Sequence, residues 1–280
     1  MTRLSTLPAP TAPQVSLRIL LKFNEDQPRD ENGRFASGSS GKDGRQSVHA
    51  SSIPRAAPGA LTMKQRAVET RFAKQIAQAT AAAERVYAAL PDTGGGKVLN
   101  TDTVRELSAD YRNDRSSLSP AVHEPASHFT KMMYANRLAE EPITNTVMFT
   151  AGGAGSGKSS GIKSVPEMQG LQDRADVIYD TNMNKLSSSI EKIDQALASG
   201  RDVHIAYVAR DPVEALTAGA LPRAMGSGGG RTVPLASHIA THVGAAQTVQ
   251  KLQEHYSDNP KVQIHYIDNT KGRGGAVLSD

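Results

Sequence analysis

The sequence predicts an α/β protein, a parallel sheet sandwiched between helices and preceded by a disordered N-terminal tail. Two observations carry the sheet. From residue 143 onward, short β-branched runs alternate with longer segments of helical period, the pattern of strands joined by crossover helices. A glycine-rich stretch, Gly152 to Ser159, stands where one such strand run gives way to a helix start. The tail rests on a third observation: residues 1–60 carry almost no apolar periodicity and cannot bury enough surface to offset chain entropy.

In order along the chain, the tail holds Pro8, Pro10 and Pro13, a polar run from Gln27 to Arg34, and a Ser/Gly-rich run from Ser37 to Gly44. Its one apolar run, Val15 to Phe23, reads as an edge strand or a docking segment. The domain is expected over 61–280, with a helical segment at 61–140 and a nucleotide-binding core at 141–280. A long helix starts at the N-cap Thr62 and carries Val68, Phe72, Ile76, Ala79, Ala83, Val86, Tyr87 and Leu90 at helical spacing, and Pro91 to Gly96 end it. An extended piece, Lys97 to Asn100, runs into Thr101–Asp102–Thr103 and a helix start at Val104. A further helix covers Pro125 to Ala139. Strands are expected at Thr144–Thr150, Asp176–Tyr179, Val203–Val208 and Val262–Ile267. Helices lie between them near Lys158–Lys163, Met183–Ala198, Pro212–Met225 and Leu235–His255.

Composition narrows the function classes. The chain has 280 residues, 38% hydrophobic and 21% charged, which is ordinary for a globular protein. No stretch has the apolar length to span a bilayer, and no N-terminal run resembles a signal peptide. Without cysteine there are no disulfides or thiolate metal sites, so a cytoplasmic location is the expectation. The 32 basic residues against 28 acidic ones give a net charge of +4. That mild excess is spread along the chain, so anionic phosphates are expected as ligands rather than nucleic acid.

Gly152, Gly153, Ala154, Gly155, Ser156, Gly157, Lys158 and Ser159 fit the pattern G-x-x-x-x-G-K-[ST]. Glycines let the backbone aim several N–H groups at phosphate oxygens, and the following helix start adds positive potential. Lys158 then reaches the β- and γ-phosphates and the Ser159 hydroxyl ligates Mg²⁺, with Ser160 beside it. The expectation is a sheet of P-loop NTPase type that binds ATP or GTP with Mg²⁺. Downstream, Arg223 and Arg231 bracket the span Gly226 to Gly230, which reads as a cationic lid on a glycine hinge or as two surface arginines beside a loop. Asp180 ends a predicted strand, where α/β folds place ligand-binding side chains. It either holds Mg²⁺ or orients an acceptor, or it caps the next helix.

Taken together, Thr150–Ser160, Val177–Thr181, Ala206–Leu216, Arg223 and Gly230–His238 resemble the zeta-toxin family of kinases. The resemblance implies phosphoryl transfer to the hydroxyl of a small molecule, a nucleotide sugar such as UDP-N-acetylglucosamine, and Arg223 and Arg231 on the phosphates. It also raises an antitoxin protein as a partner. Family members carry Glu where this chain has Asp180. In the family, the strand that supplies the catalytic base follows the phosphate-loop helix. Only Gly161 to Ala175 are available for it here, whereas a similar stretch stands earlier, at Val98–Glu106 and Ala121–Ser127. A circularly permuted arrangement follows, with Asp102 at a strand end facing the acceptor hydroxyl as general base. A turn or capping role for Asp102 is the competing reading. His123 and Glu124 are candidate acceptor contacts, or parts of a turn before Pro125.

Two other classes stay open. One is an NTPase or nucleotide switch without an acceptor. The other is a virion-associated protein, because Pro28–Phe35 resembles segments of phage head-morphogenesis proteins. His238 and His242, four apart on a predicted helix, read as surface or core histidines before they read as metal ligands.

Overall fold

The computed structural model describes residues 52–225, 233–272 and 274–279. Of the tail expected at 1–60, residues 1–51 lie outside them. Residues 52–60, assigned to the tail on sequence, instead pack against the first helix. Ile53 is buried, Arg66 donates to the carbonyls of Ala56 and Ala57, and the Ala56 amide donates to Glu69 at 2.7 Å. Glu69 is fully buried and ion-paired to Arg66 at 2.6 Å, so this strap closes over a charge that needs its partners.

Helix α1 (Met63–Gln78) begins at Thr62 with a complete capping box to Gln65. The single long helix expected to residue 90 is broken at Ala79, whose φ of −143° is not helical, and α2 (Thr80–Ala88) resumes in a new direction. Strand β1 (Val98–Asn100) follows. Helix α3 (Thr101–Arg105) starts three residues before the expected Val104, because the Asn100 side chain caps it by accepting from the amides of Asp102 and Thr103. After α4 (Ala109–Asn113) comes α5 (Arg115–Ala139), ten residues longer at its N-terminus than the sequence suggested. Asp114 caps it, and both Pro120 and Pro125 sit inside it. Each proline removes a backbone bond, but burial of Leu118, Ala121, Val122, Ala126 and Phe129 holds the helix across both. His123 and Glu124 are therefore helical, not turn residues.

The rest alternates as expected: β2 (Thr146–Ala151), α6 (Lys158–Ser164), β3 (Val177–Asp180), α8 (Leu186–Ala198), β4 (Asp202–Ala209), α11 (Leu235–His255) and β5 (Val262–Asp268). Three differences stand out. Helix α7 (Pro166–Arg174) fills the interval before β3. The helix expected at Pro212–Met225 is α9 (Pro212–Glu214), a π-helical turn (Ala215–Ala220) and α10 (Leu221–Met225) rather than one regular helix. A last strand, β6 (Val277–Ser279), pairs antiparallel with β5.

The sheet order is β1-β3-β2-β4-β5-β6, parallel except for β6. One face carries Val147, Phe149, Tyr179, Val203 and Ile205 and packs against α1, α2, α5, α8 and α11; the other carries Met148, Ile178, Ala206 and Val208 and packs against α6 and α7. Tyr134 of α5 meets Tyr179 edge-on at 5.1 Å and donates to the Lys192 carbonyl. Arg201, with 1% exposure, donates to the carbonyls of Arg137, Leu138 and Glu140, closing the C-terminus of α5.

Candidate active site

The C-terminal ends of β1, β3 and β2 are level, with Asn100 beside Asp180 and Asp180 beside Thr150. The phosphate loop leaves β2 at that edge. Its Gly152 amide donates to the Asn182 carbonyl, and its Ser156 amide to the Gly153 carbonyl. Gly157 takes φ +80° as the chain turns into α6, a conformation that favours glycine. Because α6 starts at Lys158, the amides of its first turn have no acceptor within the helix. They form the N-terminal end of the helix dipole, where anions bind. Ser159 and Ser160 are exposed there; Ser160 also donates to the Gly157 carbonyl.

Lys158 donates to Asn182 Oδ1 at 2.7 Å and to the Gly152 carbonyl at 3.3 Å. Burial pushes its ammonium below the ordinary lysine range, Asp180 and then Asp102 draw it back up, and Arg223 pushes it down again. Charges from three other segments, Asp180, Asp102 and Arg223, are thus felt at the Lys158 ammonium.

The carboxylates are held differently. Asp180 accepts from Thr150 Oγ1 at 2.6 Å and from Asn100 Nδ2 at 2.5 Å. It ends β3 and is half-buried. Asp102 lies in the first turn of α3, beyond the strand end, and pairs with Arg105 at 3.1 Å. It does not cap α3; Asn100 does. Arg105 also reaches His123 Nδ1 at 2.7 Å. His123 lies within the electrostatic reach of Glu124, Asp102 and Lys185, so the two α5 residues belong to the same side of the cleft as Asp102. Next to Thr181 a small cavity opens, lined by Phe149, Met183, Asn184, Lys185, Ser188 and Lys192 among others. Desolvation lowers the Lys192 ammonium to about 8, with help from Lys131.

The zeta-toxin family model matches residues 167–274. The matched stretch covers less than half of the chain and starts after the phosphate loop, so it is independent of the glycine motif. It spans Asp180, Arg223 and Arg231 and supports, at the level of the family, a P-loop kinase-like protein. Comparison with curated proteins gives no match.

Within the matched stretch, Arg223 sits on exposed α10, while Arg231 and the glycine span lie outside the described residues. The π-helical turn before Arg223 rests directly on the phosphate loop. A Cβ on Gly219 would lie 2.5 Å from the Gly155 carbonyl oxygen, and one on Gly155 would collide with the Ala215 carbonyl. The two backbones touch only because both residues are glycine.

Several residues around the loop carry no sequence motif. Asn269, 1% exposed at the end of β5, donates to the Ser156 carbonyl at 2.7 Å. Thr241 accepts from the Ala154 amide and His242 contacts the Ala154 carbonyl. His238 and His242, 1% and 8% exposed, are core residues. Asn100 could have been found as a cap two residues before Asp102; Thr150, Asn182 and Asn269 left no signal.

The donor set fits a magnesium-bound triphosphate. The exposed Ser159 hydroxyl stands at the helix start, and the Asp180 carboxylate accepts two hydrogen bonds and retains lone pairs for water or metal.

Proposed function

We propose that this protein is a kinase that transfers the γ-phosphoryl group of ATP or GTP to a hydroxyl of a small molecule. A nucleotide sugar such as UDP-N-acetylglucosamine is the acceptor the family resemblance suggests. The observation that carries the proposal is the sheet register: Asn100, which caps the helix bearing Asp102, stands level with Asp180, and Asp180 with Thr150, at the edge where the phosphate loop leaves β2. An NTP-binding module without chemistry needs the loop and Lys158, but has no use for a second carboxylate from a distant strand.

In this reading, Gly155, Gly157, Lys158, Ser159 and Ser160 offer backbone amides to the phosphates, and Lys158 exchanges Asn182 for phosphate oxygens. Ser159 and Asp180 would hold Mg²⁺, which would supply neutralisation of the phosphate charge. Asp102 takes the proton of the acceptor hydroxyl as its oxygen bonds to the γ-phosphorus, and the bond from that phosphorus to the β-phosphate oxygen breaks, leaving ADP or GDP. Arg223, joined by Arg231 from the lid, stabilises the charge spread over the transferring group. His123, Glu124 and the cavity lysines contact the acceptor.

The permuted arrangement is part of the proposal. Strand β1 precedes the phosphate-loop strand in the chain, yet it lies outside β3 with Asn100 level with Asp180. That position supports its reading as the base-carrying strand entering from the N-terminal side.

Incubation with γ-labelled ATP and a panel of nucleotide sugars tests the proposal. Label should pass to one acceptor, and transfer should vanish in Lys158→Ala and Asp102→Asn. Steady ATP hydrolysis with no labelled acceptor, unchanged in Asp102→Asn, would replace the kinase by an NTPase.

A further inference from the structure

We infer that His242, assisted by Thr241, is a positioning residue that ties the helix following the lid to the tip of the phosphate loop. The inference rests on the reading of Gly152–Ser159 as a triphosphate cradle. Nothing in the glycine motif calls for these two residues, and they come from α11, about eighty-eight positions downstream.

Both backbone groups of Ala154 are held by this helix. Its amide donates to Thr241 Oγ1 at 3.1 Å, and its carbonyl lies 2.9 Å from His242 Nε2. A carbonyl can only accept, so Nε2 carries the hydrogen. Thr241 is in turn fixed by donating to the His238 carbonyl at 2.8 Å. The neighbouring imidazole of His238 packs against His242 at 4.6 Å and meets the Pro212 carbonyl at 2.8 Å. Pro212 opens α9. One pair of rings thus spans from the first residue of α9 to the phosphate loop.

Gly153 gives an independent sign of the same fit. The glycine motif accepts any residue at that position, but a Cβ there would run into the His242 ring at Cγ, Cδ2 and Nε2. The ring therefore occupies the volume that an ordinary side chain at 153 would fill. Together with the Asn269 bond to the Ser156 carbonyl, these contacts take the Ala154 amide and the carbonyls of Ala154 and Ser156. The amides of Gly155, Gly157 and the first turn of α6 are left for phosphate, and the loop is preorganised before nucleotide arrives.

The test is calorimetric binding of Mg-ATP and Mg-ADP to the full chain. His242→Phe keeps the ring but loses the donor, and should weaken both nucleotides about tenfold, the scale of one good hydrogen bond. His242→Gln restores an amide donor near Nε2 and should recover most of that loss. Thr241→Val should weaken binding several-fold and serves if His242→Phe does not fold. Gly153→Ala should weaken binding like His242→Phe, and adding His242→Ala to it should cost little more, because the ring it displaces is already gone. Wild-type affinity in both His242→Phe and Thr241→Val, or failure of Gln to rescue, would overturn the inference. Binding untouched by Lys158→Ala would instead remove the underlying cradle.

Discussion

The two sides of Lys158 are built by different means. On the nucleotide side, one contiguous run from Gly152 to Ser159 supplies backbone amides, and side chains only brace it from behind. On the other side, Asp102, Asp180 and His123 reach the site from β1–α3, β3 and α5, held by Asn100, Thr150 and Arg105. The first half is fixed by local conformation and fails when a Cβ is added. The second half is fixed by sheet order, and fails when a strand end shifts or a polar partner is lost. Nucleotide binding and acceptor chemistry should therefore separate cleanly under mutation.

The largest effect expected is that of Lys158→Ala, since this ammonium is bonded within the loop and feels the charges of Asp180 and Asp102. Its kcat/KM for phosphoryl transfer should fall about 10³-fold, with Mg-ATP affinity falling as well. Asp102→Asn should lower kcat about 10²-fold or more while Mg-ATP affinity stays within about twofold of wild type. Measuring Kd and kcat on both variants decides the matter. Loss of nucleotide affinity in Asp102→Asn would mean that the two halves are one.

A smaller effect divides the roles of Asn100. It caps α3 and also donates to Asp180. Asn100→Ala should cost about 1 kcal/mol of stability, a typical cap, and several-fold in kcat. Asn100→Asp keeps a capping oxygen but sets a second carboxylate against Asp180, so its stability should exceed that of the alanine variant while its kcat falls further. Equal kcat for the two variants would show that Asp180 does not depend on that amide.

The same division explains what could be read from the sequence. The loop was legible because its chemistry needs a fixed spacing of glycines, a lysine and a serine, flanked by a strand and a helix. The sheet was legible because each strand is short, apolar and followed by a helical period. Asn182 and Asn269 were not, since one side chain that accepts from a lysine and another that donates to a loop carbonyl leave no pattern in sequence. Helix α5 was truncated because Pro120 and Pro125 argue for a boundary, and only packing along the whole helix overrides them. His238 and His242 were read as surface or core histidines, and the structure buries them. What spacing could not show is that the core they enter lies under the phosphate loop.

The smallest effect concerns acidity and also distinguishes regions. Burial holds the imidazoles of His128, His204, His242 and His265 below the ordinary 6.5. His204 Nδ1 and His265 Nε2 are 3.0 Å apart on neighbouring strands, a hydrogen bond that needs at least one neutral ring. In the unfolded chain all four titrate near 6.5, so below that pH the unfolded state binds more protons than the native one. Their contribution is complete above about pH 6.5 and is lost as pH falls through the lower native values. Asp176 and Asp268, held below the ordinary 3.8 by hydrogen bonds from Thr144 and Thr270, lose their contribution only as pH falls below that value. Thermal melts should be level from pH 8 to 7 and decline toward pH 5. His204→Phe should flatten that decline and leave Mg-ATP affinity unchanged, because its ring faces β5 and not the loop. His242→Phe should flatten it too, but at the expense of nucleotide binding. If both variants altered affinity alike, the brace beneath the loop would be no more local than the rest of the core.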